Sequence, residues 1–219
     1  MRMLVSIVFL AAASHLQPTP VVAVSPELYE ADVCVFGGTS GGVVAAVQAA
    51  RMKKRVVLLE PGRHLGGMTS GGLSAVDIGD PRSVGGVARE YFTRLVASYG
   101  TQLTWDQPFR GRGGPATGGA YSIEPHVAEA LFDRMAAEAG VIVVREARLL
   151  NVVMEGRRIV ELQTDRHDTV KAAMFIDATY EGDLMAKAGV SYTLQREGNA
   201  KYGEKSNGIY YAATYKPRL

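Results

Sequence analysis

Residues 31–60 read ADVCVFGGTSGGVVAAVQAARMKKRVVLLE, and no other stretch of the chain constrains the fold as tightly. The apolar run Val33–Phe36 suits a parallel strand buried on both faces. Gly37, Gly38, Gly41 and Gly42 then allow a sharp turn and a close backbone approach to a ligand, because no Cβ stands in the way. A helix starting there aims free N–H groups and the positive end of its dipole at whatever sits above the turn, which favours a pyrophosphate. A second apolar strand follows and ends at Glu60, 23 residues beyond Gly37, where a carboxylate can accept both hydroxyls of an adenosine ribose. Together these features predict a dinucleotide site on an α/β fold. If Gly37 and Gly42 are the first and third glycines of the G-x-G-x-x-G pattern, the middle position is Thr39. Its side chain narrows the approach, and its hydroxyl is expected to donate to a phosphate.

Composition excludes other classes. The chain has 219 residues, 47% of them hydrophobic and 21% charged, as for an ordinary globular protein with enough material for a core. A net charge of +2, with basic residues scattered along the chain, points away from nucleic acid. Cys34 is the single cysteine, and no His, Cys or carboxylate spacing suits a metal. No Gly-x-Ser-x-Gly nucleophile motif occurs; Thr39-Ser40-Gly41 belongs to the glycine turn.

The N-terminus predicts export. Arg2, the apolar run Leu4–Ala13 and Val21-Val22-Ala23 match a secretory signal over residues 1–23. The run is too short for a membrane span, which needs about 20 residues.

Beyond Glu60, the loop Gly66-Gly67-Met68-Thr69-Ser70-Gly71-Gly72 has the backbone freedom to lie flat against a planar ligand. Residues 84–99 predict an amphipathic helix with Val87, Tyr91, Leu95 and Tyr99 on one stripe. Residues 101–122, which contain Trp105 and Tyr121, have the composition of a loop. Pro125 opens a further helix with Val127, Leu131 and Met135 inward, and Gly140 ends it. Short strands are predicted at 141–144, 149–154, 158–162 and 169–176. His64 reads as an exposed loop histidine, and His126 as a residue at a helix start. Asp177 and Glu181, four residues apart across a turn, serve a cofactor site and a helix terminus better than paired acid–base chemistry.

At this point the chain resembles the FAD-dependent oxidoreductases of the glutathione-reductase-like fold, from about Ala31 to Gly203. It is most similar to a bacterial group carrying HLGGMT-GGL (His64–Leu73 here), EPHVAE (Glu124–Glu129) and DATYEGDL (Asp177–Leu184). The resemblance implies a Rossmann-like FAD-binding domain over residues 31–190. Its parallel sheet would carry helices on one face and a β-meander on the other. Residues 191–219 would begin a substrate domain that is not completed. By the same resemblance Gly37, Gly38, Thr39, Ser40, Gly41 and Gly42 hold the FAD pyrophosphate. Glu60, followed by Pro61, holds the ribose, and Arg63 lies over the adenine or its phosphates. Gly66, Gly67, Met68 and Thr69 pass along the flavin side. Asp177, Ala178 and Thr179 form a second turn on the dinucleotide, with Tyr180 where relatives often have glycine. The implied activity is hydride transfer between a small-molecule substrate and bound flavin. Two rivals are an NAD-dependent Rossmann dehydrogenase, which needs neither the 66–72 loop nor a meander, and a non-catalytic nucleotide-binding remnant.

Overall fold

The structure is a computed structural model that describes residues 26–73, 81–100, 123–194 and 197–203. The expectations for residues 1–23, for 101–122 with Trp105 and Tyr121, and for the chain's last residues lie outside the described residues.

Ten elements follow in order: β1 (Leu28–Phe36), α1 (Ser40–Arg51), β2 (Val56–Leu59), α2 (Gly86–Ala97), α3 (Pro125–Ala139), β3 (Ile142–Val144), β4 (Leu149–Glu155), β5 (Arg158–Thr164), β6 (Thr169–Asp177) and α4 (Asp183–Lys187). They form one six-stranded sheet in the order β3-β2-β1-β6-β5-β4. The strands from β3 to β6 in that order run parallel, whereas β5 runs antiparallel to both of its neighbours, β6 and β4.

Alternation along the central strands divides the core into two layers, since successive side chains point to opposite faces. Val35 and Leu58 pack with Val43 and Val47 of α1, Tyr91 and Leu95 of α2, and Phe132 and Met135 of α3. On the other face Cys34, Phe36, Val57 and Leu59 pack with Leu162 of β5, Val170 of β6 and Leu184 of α4. β5 pairs with β6 only between Glu161–Gln163 and Thr169–Lys171, and the β4–β5 hairpin contributes Leu162 and the partly buried Val152 and Ile159 to this second layer. Helices α1, α2 and α3 thus cover one face, and the antiparallel strands together with the short α4 pack on the other. Each of these fully buried side chains contributes roughly 1.5–3 kcal/mol by leaving water. Burial pushes the Cys34 thiol up to about 12, which makes it an inert core atom.

Local signals set the helix ends. Pro125 occupies the first turn of α3, and Gly140 closes the helix at φ 77°. Arg51 of α1, Glu90 and Arg94 of α2 and Glu138 of α3 clamp the three helices together, with N–O distances of 2.6, 3.3 and 2.8 Å along that series. β1 begins at Leu28, ahead of the apolar run Val33–Phe36. Its polar first half is held by pairing with β6 from Leu28↔Thr169 onward, and by Asp32, whose carboxylate accepts the Arg55 amide at 2.7 Å. Among the described residues no helix is long and apolar enough to cross a membrane.

Candidate functional site

The C-terminal tips of β2, β1 and β6 lie side by side, and each leads into a turn. The β1 turn opens with Gly37 at φ 102°, a conformation that favours glycine. A Cβ there would meet the backbone of Ala178 and Thr179 at 2.8 Å. Gly42 faces inward, where a Cβ would collide with the Gly37 carbonyl oxygen; at Gly41 the nearest atom lies 3.8 Å away. The outer side of the first turn of α1 is therefore open, while its inner side is closed by backbone.

Thr39 caps α1. Its hydroxyl oxygen accepts from the Gly42 amide at 3.1 Å and donates to the Ala178 carbonyl at 2.8 Å. The expectation that this hydroxyl donates to a phosphate is corrected here, because its one proton is committed to Ala178. The bond joins the β1 turn to the β6 turn, which the pattern of glycines alone does not disclose.

Glu60 follows β2 directly. One carboxylate oxygen accepts from Gly38 N at 2.7 Å and the other from Gly62 N at 2.5 Å. A carboxylate offers about four acceptor positions, so each oxygen keeps capacity for a further donor. Pro61 and Gly62 then turn the chain back. Gly66 donates to the Gly38 carbonyl at 2.7 Å, bringing the short helical turn Gly67–Thr69 beside the glycine turn. The hydroxyl of buried Ser70 closes this loop onto the Leu65 carbonyl. Arg63 does not lie free above the groove: it pairs with Glu146 at 2.8 Å, and that bond holds the Glu146 carboxyl below its usual range.

On the β6 side, Ala178 N donates to Phe36 O at 2.8 Å, so the two turns leave the sheet together. The Asp177 carboxylate is held between its own turn and the first turn of α4. One oxygen accepts from Thr179 N and Oγ1 at 3.0 and 2.7 Å, and the other from Met185 N at 2.8 Å. Thr179 Oγ1 in turn accepts from Gly182 and Asp183 at the start of α4. Asp177 and Thr179 thus shape the second turn, and the Ala178 backbone is what faces Gly37.

The structure therefore brings Gly37–Gly42, Glu60–Thr69 and Asp177–Thr179 to one end of the sheet. Three features of this end escaped sequence reasoning because their partners are distant in the chain. His64 Nδ1 lies 2.9 Å from Glu129, whose carboxylate also receives the Leu65 amide at 3.3 Å. Phe132 and Tyr91 stack at 4.1 Å behind the loop, and a Cβ on Gly66 would strike Phe132 at 2.6 Å. Tyr180 Oη accepts from Met68 N at 2.7 Å. His64 is exposed as expected, and exposed His126 sits 3.5 Å from Glu124. An apolar cleft of about 330 Å³ opens beside the glycine turn, lined by Ser40, Gly41, Thr69, Tyr91 and Phe132. Among the described residues no group of His, Cys, Asp and Glu suits a metal.

Glycines that a Cβ would disrupt, an open helix N-terminus and a carboxylate with spare acceptor capacity fit a dinucleotide. Solved structures share this fold. L-Proline dehydrogenase from P. horikoshii matches with a TM-score of 0.52 at 15% identity, covering 79% of this chain and 59% of that one. THI4 from Thermovibrio ammonificans matches with a TM-score of 0.51 at 20% identity, covering 74% and 64%. The flavin-dependent brominase Bmp2 matches with a TM-score of 0.52 at 14% identity, covering 77% and 42%. The chain thus spans less than two thirds of the length of each. Residues 32–218 match the family described as FAD dependent oxidoreductase; the chain belongs to that family, and FAD rather than NAD is the cofactor this membership indicates.

Proposed function

We propose that the protein is a flavoenzyme of the glutathione-reductase-like group that passes a hydride between a small-molecule substrate and FAD. The observation that carries this reading is the cross-linking of three loops at neighbouring strand tips around a carboxylate that keeps acceptor capacity. In this reading Glu60 takes the adenosine ribose hydroxyls on the lone pairs that Gly38 and Gly62 leave free. The first turn of α1, with Ser40 and Gly41, receives the pyrophosphate on its N–H groups. Gly66–Thr69 lines the rest of the cofactor, and the Asp177–Thr179 turn closes the groove from the β6 side. Bound FAD supplies the hydride acceptor or donor; the protein's part is to position it and to keep water from the ring.

The HLGGMT, EPHVAE and DATYEGDL motifs support the subgroup through their positions. The first forms the loop beside the glycine turn, the second opens α3 and supplies Glu129, and the third forms the β6 turn. Residues 1–23 are proposed to direct export, and mass spectrometry of the native protein is expected to find Val24 near its N-terminus. An intact Met1 would remove that part of the reading. For the activity itself, anaerobic reduction of the full-length protein should bleach a flavin absorbance band that returns on reoxidation. A preparation with no such band would overturn the reading.

A further inference from the structure

Tyr180 directly follows the second turn. Its side chain crosses to the opposite wall of the groove. Its hydroxyl oxygen accepts the Met68 amide at 2.7 Å, a bond between residues 112 apart. A Cβ on Gly67 would lie only 2.1 Å from the same oxygen and 3.3 Å from the Thr39 Cα. The Gly67 backbone is therefore held between the Tyr180 phenol and the glycine turn. Despite this contact Tyr180 is 53% exposed. Having accepted a hydrogen bond, the phenol keeps its own proton to donate, and no acceptor among the described residues takes it.

The strand order gives this proton an address. Across the tips of β2, β1 and β6 lie Glu60, the glycine turn and the Asp177–Tyr180 turn. A dinucleotide whose ribose is fixed at β2 and whose pyrophosphate is fixed at β1 carries its second half toward β6. In the FAD reading proposed above, that half runs along Gly66–Thr69, the segment to which Tyr180 is tied.

We propose that Tyr180 is a positioning residue for the flavin half of the cofactor: its phenol fixes the Gly67–Met68 backbone by accepting the Met68 amide and donates its own proton to an oxygen on that half. The proposal rests on the groove being the FAD site and deepens that reading.

The test compares FAD with ADP, which shares the adenosine and pyrophosphate but lacks the flavin half. Dissociation constants for both are measured by titration calorimetry on the full-length protein and on Tyr180→Phe. Loss of the hydroxyl is expected to weaken FAD about tenfold, the ordinary effect of one hydrogen bond, and to leave ADP within about twofold. Tyr180→Gly, which also removes the ring, should show the same split with a larger loss for FAD. Equal weakening of FAD and ADP in these variants, or no change in either, overturns the proposal and leaves the FAD reading standing. A wild-type protein that binds ADP but not FAD, or neither, overturns the FAD reading and the proposal with it. A second readout needs no cofactor: the Met68 amide should exchange with solvent slowly in the wild type and faster in Tyr180→Phe. Equal rates would show that the tether does not form.

Discussion

The Thr39 hydroxyl donates to the carbonyl of Ala178 at 2.8 Å, a single bond that joins turns 139 residues apart while the same oxygen caps α1. Side chain, helix end and second turn are thus one unit. Replacing the hydroxyl by a methyl in Thr39→Val keeps the shape and removes both bonds. The cap alone is worth on the order of 1–2 kcal/mol, so chemical denaturation should show at least that loss, with Thr39→Ser close to wild type. Equal stability of Thr39→Val and wild type would mean the hydroxyl holds neither partner.

The two glycines that begin α1 should behave in opposite ways. Gly42→Ala places a Cβ against the Gly37 carbonyl oxygen, a backbone atom that cannot swing aside, whereas Gly41→Ala meets nothing closer than Thr39 Oγ1 at 3.8 Å. Gly42→Ala is expected to unfold at markedly lower temperature and to lose FAD, and Gly41→Ala to stay near wild-type stability. Melting curves of the pair decide it, and a tolerated Gly42→Ala would contradict the inward position assigned to that residue.

Glu60→Gln removes the charge and one of the two oxygens that receive Gly38 and Gly62. If this carboxylate also binds the ribose, FAD affinity should fall by on the order of 1–3 kcal/mol, the range for charge-assisted hydrogen bonds. FMN, which has no adenosine, should lose much less. Parallel titrations separate the two roles, since equal losses would assign Glu60 to shaping the turn alone.

Acid should loosen the helical layer. Hydrogen bonds from Arg51, and then from Arg94, hold the Glu90 carboxyl below its ordinary value of 4.5 against the opposing effect of burial. A carboxyl depressed on folding stabilises fully above its unfolded value and loses that contribution as pH falls through its folded value. The melting temperature should therefore drop as pH falls below about 4.5, with Glu90→Gln showing a shallower decline. The effect is modest, because both partners are about a third exposed. Identical acid profiles for the two proteins would remove Glu90 from the account.

The local signals were legible because they are short-range. Gly37–Gly42, the Pro125 and Gly140 helix ends and the apolar strands each announce themselves within a few residues. The stripe Val87, Tyr91, Leu95 is buried as its spacing required. The first half of β1 was not legible, since LYEAD lacks an apolar run and is held by β6 some 140 residues later. The Thr39 hydroxyl was read as a phosphate donor because its competitor, Ala178, is close only after the sheet assembles. The pairing of Arg63 with Glu146, 83 residues away, was not legible for the same reason. The tether from Tyr180 to Met68 and the contact of His64 with Glu129 of α3 likewise join segments that only the assembled fold brings together.

The central claim is that the groove across β2, β1 and β6 holds FAD, and cofactor content measures this most directly. Full-length protein should be purified without added nucleotide, denatured, and the released chromophore separated by chromatography. Alongside, the stripped protein is titrated with FAD and with NAD. The expected result is release of FAD and saturable rebinding of one FAD per chain, with NAD taken up far more weakly. Preferential binding of NAD, or no binding of either by a folded protein, would contradict the account.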